Sequence, residues 1–141
     1  MVTASLEHPS PVIPRLRAVR GAVTVDADDP AQIEAAIHAL LTQLVDANAI
    51  EPQDVVSAIF SATPDLRSRN PATAARAAGW TDVPMMCVAE VDTEGMLERC
   101  IRVMLHVSVT GDRRLQPVYL GRASTLRPDL TGIARPSPRP R

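Results

Sequence analysis

Five polar residues stand inside segments that otherwise predict apolar β-strands: Arg20, Cys87, Glu90, Arg102 and Tyr119. An isolated charge in an apolar strand needs a partner, because an unpaired buried charge is costly. The set is rich in hydrogen-bond donors and poor in groups that shuttle protons. Arginine binds a carboxylate through a planar fork that lysine does not reproduce. These residues therefore favour recognition of a small, carboxylated ligand.

The residues by themselves leave other interpretations open. A structural ion pair, for example between Glu90 and an arginine, competes with the ligand hypothesis on equal terms. Arg20 alone is more simply an exposed strand residue. Cys87 and Glu90 are three positions apart, so a regular strand points them to opposite faces. They share one ligand only if a bulge intervenes or if the site lies at the end of the strand.

The composition limits the class of protein. The chain has 141 residues, of which 45% are hydrophobic and 2% aromatic. These values predict one domain with an aliphatic core, and so small a domain is expected to gain stability by oligomerising. The net charge of -1 argues against nucleic acid or an anionic membrane as the main partner.

The sequence lacks the motifs of several other kinds of site. The two cysteines form no CxxC pair and the three histidines are far apart, so we expect no metal and no cofactor. No apolar run is long enough to span a membrane. Pro9, Pro11 and Pro14 interrupt the region where a signal peptide would be apolar. We therefore expect a cytoplasmic protein.

Hydrophobic periodicity predicts five strands and two helices. The long helix has Asp29 as its cap, Pro30 at its first position and Gln32 to complete a capping box, and it ends near Asn48. A short helix starts at Asn70. The predicted strands cover residues 16–25, 55–62, 83–91, 99–110 and 118–120. This order indicates an α/β (α+β) fold, a mixed β-sheet with one long and one short helix on one face.

Details within these strands predict how they pack. Residues 55–62 are nearly all apolar or small, which predicts a strand buried on both faces. In residues 99–110 polar and apolar side chains alternate, and Arg102 is the only charge in the middle of that strand. Gly21 indicates a close approach of another element to the first strand.

The ends of the chain differ in composition from its middle. The domain is predicted to cover residues 16–130, after a flexible N-terminal extension of residues 1–15. A tail at residues 131–141 interleaves proline and arginine and is predicted to be disordered.

Several segments, in order and at compatible spacing, resemble the monofunctional chorismate mutases of the Bacillus type. They are VRGAVTV (19–25), SATPDL (61–66), NPATAARAAGW (70–80), VPMMCVAEVD (83–92), CIRVML (100–105), VYL (118–120) and LRPDL (126–130). The resemblance implies a trimer, a pseudo-α/β-barrel with active sites in clefts between neighbouring subunits. It also implies an isomerase that rearranges chorismate to prephenate in aromatic amino acid biosynthesis.

The resemblance also implies roles for individual residues. Arg20 and Tyr119 would bind a substrate carboxylate, and Arg102 would reach both a carboxylate and the ether oxygen. Cys87 and Glu90 would hold the ring hydroxyl. Residues at the mouth or wall of the site would be Arg76, Leu126 and Arg127.

Three positions depart from the family pattern, at the edge of the implied site. Asn70 stands where the family has an aromatic residue, Thr73 where it often has Lys or Glu, and Met86 where it has a Thr. Two other functions remain open beside the mutase. One is a non-catalytic trimeric binder of small carboxylates, and the other is a protein-interaction module that uses the Arg/Pro tail.

Overall fold

A computed structural model describes residues 13–125 of the chain. The first 12 residues, Leu126, Arg127 and the predicted tail lie outside the described residues. The elements are β1 (Pro14–Thr24), α1 (Pro30–Asn48), β2 (Val55–Ala62), α2 (Pro71–Ala77), β3 (Met85–Ala89), β4 (Cys100–Thr110) and β5 (Val118–Leu120), with short 3-10 helices at Pro52–Asp54 and Gly121–Thr125. No helix among residues 13–125 has the length and apolar character to cross a membrane.

The five strands form one mixed sheet in the order β3-β2-β4-β1-β5. The central strand β4 is antiparallel to both β1 and β2, whereas the outer pairs β1–β5 and β2–β3 are parallel. The prediction of a mixed sheet with one long and one short helix is confirmed. The observed strands start or end within two residues of the predicted bounds.

Helix α1 starts and ends where its sequence signals predict. Asp29 caps it by accepting a hydrogen bond from the Gln32 N–H at 3.0 Å. The capping box itself does not form, because the Gln32 side chain instead accepts from the N–H groups of Asp26 and Ala27. At the other end, Asn48 is buried and donates to the carbonyls of Leu44 and Gln116, which ties α1 to the segment leading into β5.

The core lies between α1 and one face of the sheet. The apolar stripe of α1, which includes Ile33, Ile37 and Leu44, is fully buried with Leu105 and Val107 of β4. Gly21 allows this packing, since a Cβ there would lie 2.9 Å from Leu44 Cδ1 and 3.0 Å from Leu40 Cδ1. The close approach predicted at Gly21 is confirmed.

The opposite face of the sheet, which we call the open face, is not covered by α1 or α2; only the short 3-10 helix Gly121–Thr125 packs on one part of it, through Ala123, among the described residues. Alternation and register place on it the side chains of Leu16, Arg20, Ile59, Ser61, Met86, Val88, Arg102 and Met104. Ile59 is 40% exposed and Val88 46% exposed. The prediction that residues 55–62 are buried on both faces is therefore wrong for the single chain, because α1 and α2 both pack on the same side of the sheet.

Candidate active site

A row of aligned residues crosses the open face from one edge of the sheet to the other. Tyr119 pairs with Ala22, Ala22 with Arg102, Arg102 with Ser61, and Ser61 with Val88. Side chains in register on adjacent strands point to the same face and lie close together. The row therefore brings a phenol, a guanidinium and a hydroxyl to one surface.

Arg102, in the middle of this row, forms an ion pair with Glu90. Arg102 Nη1 donates to Glu90 Oε1 at 2.9 Å. Their side chains are 30% and 20% exposed, so the pair is sheltered without being sealed from solvent. The contact uses one nitrogen of the guanidinium, and the buried Arg102 Nε has no hydrogen-bond partner among the described residues. The structural ion pair, which the sequence left as an alternative, is therefore present. Arg102 also has N–H groups that do not donate to Glu90.

Glu90 is held by strand β2 through both its backbone and its side chain. β3 ends at Ala89, and the Glu90 N–H donates to the Ala62 carbonyl at 3.1 Å. The Ser61 hydroxyl donates to Glu90 Oε2. Glu90 therefore lies just past the end of its strand, where it reaches the open face beside Arg102.

Arg20 and Tyr119 extend the same surface. Arg20 pairs with Met104 on β4 and lies exposed on the rim of a shallow concavity of about 320 Å³, which Glu90 and Arg102 also line. Tyr119 is 8% exposed, packs with Ala22, Cys100 and Ala123, and its hydroxyl has no hydrogen-bond partner in residues 13–125. Arg20, Glu90, Arg102 and Tyr119 are thus predicted polar residues that the fold brings to the open face, and we call them the open-face group.

Cys87 lies with a different set of residues, at the edge of the sheet. Its Sγ donates to Asn70 Oδ1 at 3.1 Å and accepts from the Ala72 N–H at 3.3 Å. Burial raises the pKa of the Cys87 thiol, and the Ala72 N–H, the charge of Arg76 and Asn70 oppose that shift. The thiol is therefore held in its neutral form.

The other residues predicted at the edge of the site surround Cys87. Asn70 Oδ1 caps α2 by accepting from the N–H groups of Ala72 and Thr73. Arg76 Nη2 donates to Thr73 Oγ1 at 3.2 Å. Met86 precedes Cys87 in β3, but its side chain is on the open face, where it is 61% exposed. We call Asn70, Thr73, Arg76 and Cys87 the edge group, since β3 is an outer strand of the sheet.

The structure does not bring Cys87 and Glu90 together within one chain. Cys87 points to the helix side of β3, against α2, whereas Glu90 reaches the open face. This is the outcome that the three-residue spacing predicts for a regular strand.

Two residues near Arg102 were not predicted from the sequence. Ser61 contacts Glu90 through its hydroxyl, and its only sequence signal is that it begins the SATPDL segment. Cys100 is 1% exposed beneath Tyr119, and burial raises the pKa of its thiol while Arg102 opposes the shift. From the sequence alone, a serine or cysteine in an apolar strand does not indicate which side chain on another strand it will contact.

A larger concavity, of about 690 Å³, lies elsewhere on the molecule. It opens between α1 and the segment that joins α2 to β3, and Trp80 and His38 are among its lining residues. None of the predicted site residues lines it. Within residues 13–125 no group of His, Cys, Asp and Glu side chains is arranged to hold a metal ion.

Comparisons with known proteins show the family to which the chain belongs. Residues 16–130 match the family described as chorismate mutase type I. The chain is 41% identical over 118 residues to the chorismate mutase AroH of Bacillus subtilis, covering 82% of this chain and 93% of that protein. It is 42% identical over 117 residues to the chorismate mutase AroH of Thermus thermophilus, covering 82% of this chain and 96% of that protein.

A solved structure shares the fold. A chorismate mutase from Clostridium thermocellum superposes with a TM-score of 0.72 at 41% sequence identity, covering 77% of this chain and 97% of that one. At 41% sequence identity over most of both chains, the similarity extends beyond the fold. This chain therefore belongs to the chorismate mutase type I family.

Proposed function

We propose that this protein is an isomerase that rearranges chorismate to prephenate, as a step of aromatic amino acid biosynthesis. The observation that carries the proposal is the state of Arg102. Its guanidinium is fixed on the open face by one hydrogen bond from Nη1 to Glu90, and its side chain is still 30% exposed. Chorismate has two carboxylates, and its ether oxygen gains negative charge as the ether bond breaks. A fixed guanidinium can donate hydrogen bonds to both kinds of oxygen.

The rearrangement is unimolecular and concerted, so it needs no nucleophile, general base or cofactor. Its barrier falls when the enolpyruvyl arm is held over the ring in the reactive geometry. In this proposal the exposed Arg20 and the Tyr119 hydroxyl, which has no partner in the described residues, bind substrate carboxylate, and Glu90 accepts a hydrogen bond from the ring hydroxyl.

Arg102 supplies the electrostatic part of catalysis in this proposal. As the ether bond breaks, negative charge builds on its oxygen, and a fixed cation stabilises that charge more than it stabilises the ground state. The ion pair with Glu90 holds the guanidinium in place before substrate arrives, so no rearrangement of the side chain is needed during the reaction.

The full site, in this proposal, forms between two copies of the chain in a homotrimer. The open-face group and the edge group lie apart in one chain, so an edge group from a neighbour would complete each open face. Exposed apolar residues on the open face, Leu16, Ile59, Met86 and Val88, support this, because apolar surface of this kind marks protein interfaces. The free cysteines suit a reducing compartment, and we place the reaction in the cytoplasm.

The test is direct. Purified full-length protein is incubated with chorismate, and the ultraviolet absorbance of chorismate is followed with time. We expect a first-order loss that scales with protein concentration and is unchanged by a metal chelator. Binding of chorismate without any loss of absorbance would instead support a non-catalytic carboxylate binder.

A further inference from the structure

Ser61 lies between the strands that carry the Glu90–Arg102 pair. It pairs with Arg102 on β4 at one side and with Val88 on β3 at the other. Its hydroxyl donates to Glu90 Oε2, while Arg102 Nη1 donates to Glu90 Oε1. Each carboxylate oxygen of Glu90 therefore accepts a hydrogen bond from a different residue.

An arginine beside a carboxylate has a stronger alternative arrangement. Two parallel N–H···O bonds, one to each oxygen, form a fork that is the preferred geometry of such pairs. That fork would use two nitrogens of Arg102 on Glu90 and remove donors from a substrate. In the structure the fork is absent, since one hydrogen bond, from Nη1 to Oε1, joins Arg102 to Glu90.

The geometry points to Ser61 as the residue that prevents the fork. By holding Oε2, the Ser61 hydroxyl turns the carboxylate so that only Oε1 faces Arg102. Arg102 Nε stays unpaired, although it is buried. Ser61 is therefore a positioning residue, which keeps part of the guanidinium available for the substrate. This inference rests on the proposed function, since it names how the same site is kept open.

The chain offers a matched control on the same strand. Ser57 also lies on β2, and its hydroxyl bonds to a side chain of β4, at 3.1 Å from His106 Nδ1. It differs from Ser61 in having no contact with Glu90 or Arg102. Replacing either serine by alanine removes one hydroxyl from one strand, so a general effect on folding should be alike in both variants.

The first experiment compares the kinetics of Ser61→Ala, Ser61→Thr and Ser57→Ala. We expect Ser61→Ala to lower kcat/KM by roughly tenfold with a rise in KM, on the scale of one hydrogen bond to a charged group. Ser61→Thr keeps the hydroxyl and should restore most of the activity, whereas Ser57→Ala should stay close to the unchanged protein. A loss in Ser61→Ala that Ser61→Thr does not restore would overturn the inference, as would equal losses in Ser61→Ala and Ser57→Ala.

A second experiment asks whether Ser61 acts through Glu90. In a Glu90→Ala background, the Ser61→Ala change should have less than about a third of its single-variant effect, because coupled residues are non-additive. Full additivity would overturn the inference.

A crystal structure of the Ser61→Ala variant tests the inference without an activity measurement. Two nitrogens of Arg102 on Glu90 support the inference, and an unchanged single contact overturns it. If the unchanged protein does not convert chorismate, the proposed function fails, and this structure still decides the claim about Ser61.

Discussion

Arg102 shows how one residue serves both the fold and the proposed chemistry. Its ion pair with Glu90 links β4 to the end of β3. A partly exposed pair of this kind contributes little to stability, because water screens it. Its value is in orientation, since a guanidinium fixed in advance costs no reorganisation when charge develops on a substrate.

Replacing Arg102 tests whether the charge or the hydrogen bonds matter. Arg102→Ala should raise the barrier by at least about 3 kcal/mol, the scale of losing one oxyanion donor. Citrulline at this position has nearly the same shape as arginine but no charge, and it should restore little of the activity lost in Arg102→Ala. The measurement is kcat/KM for chorismate, and near-normal turnover with citrulline would contradict the assigned role.

Cys87 gives a pH-dependent prediction. Because burial disfavours the thiolate and raises the pKa of Cys87, the neutral thiol is the form present near neutral pH. Alkylation of Cys87 by iodoacetamide in the folded protein should therefore have its midpoint at a higher pH than in the unfolded protein. Mass spectrometry of the labelled peptide measures both curves.

The control for this titration is the second cysteine. In Cys87→Ser the remaining thiol, Cys100, is 1% exposed, so the folded variant should stay unlabelled over the same time. A folded-state midpoint below the unfolded one would show that the opposing contacts of Asn70, Ala72 and Arg76 dominate burial.

At the scale of elements, α1 and β1 approach each other closely at Gly21. Gly21 faces the helix, and an added Cβ would meet the ends of Leu44 and Leu40. Gly21→Ala requires a small shift of two flexible methyl groups and should be mildly destabilising. Gly21→Val should lower the free energy of unfolding by about 1–3 kcal/mol, as overpacking does.

A double-mutant cycle checks the cause of that loss. If the clash with Leu44 is responsible, Gly21→Val combined with Leu44→Ala should be more stable than the sum of the two single losses predicts. Urea unfolding of the four proteins gives the coupling. Simple additivity would place the cause of the Gly21→Val loss elsewhere.

The helices and strands could be predicted from the sequence because their signals are local. Asp29 and Pro30 determine the start of α1, and the alternation in β4 separates its buried and polar faces. The second half of the capping box failed because the preceding loop offered the Gln32 side chain other N–H donors. Those donors, on Asp26 and Ala27, lie before Asp29 and so outside the four-residue pattern that predicts the capping box.

At the scale of the whole molecule, the placement of the site between copies is testable by mixing variants. Arg102→Ala removes an open-face residue, and Cys87→Trp blocks the edge group. Each protein alone should be inactive. When the two variants are co-expressed in equal amounts, about a quarter of the activity of the unchanged protein should return. In a cyclic assembly each site joins the open face of one chain to the edge group of its neighbour, and about one such site in four has both parts intact.

The matched control uses two defects in the same half of the site. Arg102→Ala and Glu90→Ala both remove open-face residues, so every site in their mixed assemblies keeps one defect. No recovery is expected from this pair. Failure of the first mixture to recover activity would contradict a site shared between copies and would favour one complete within a chain.

The sequence by itself determined the elements of this protein, the face of each strand on which a residue lies, and the family to which the chain is similar. Each depends on neighbours along the chain, where periods of two or 3.6 residues decide direction. Only the tertiary structure decided that Ser61, Glu90 and Arg102 meet, that Cys87 lies apart from them, and that one face of β2 stays uncovered. Those facts depend on which strands pair and in what register, and such pairing joins residues far apart in the chain.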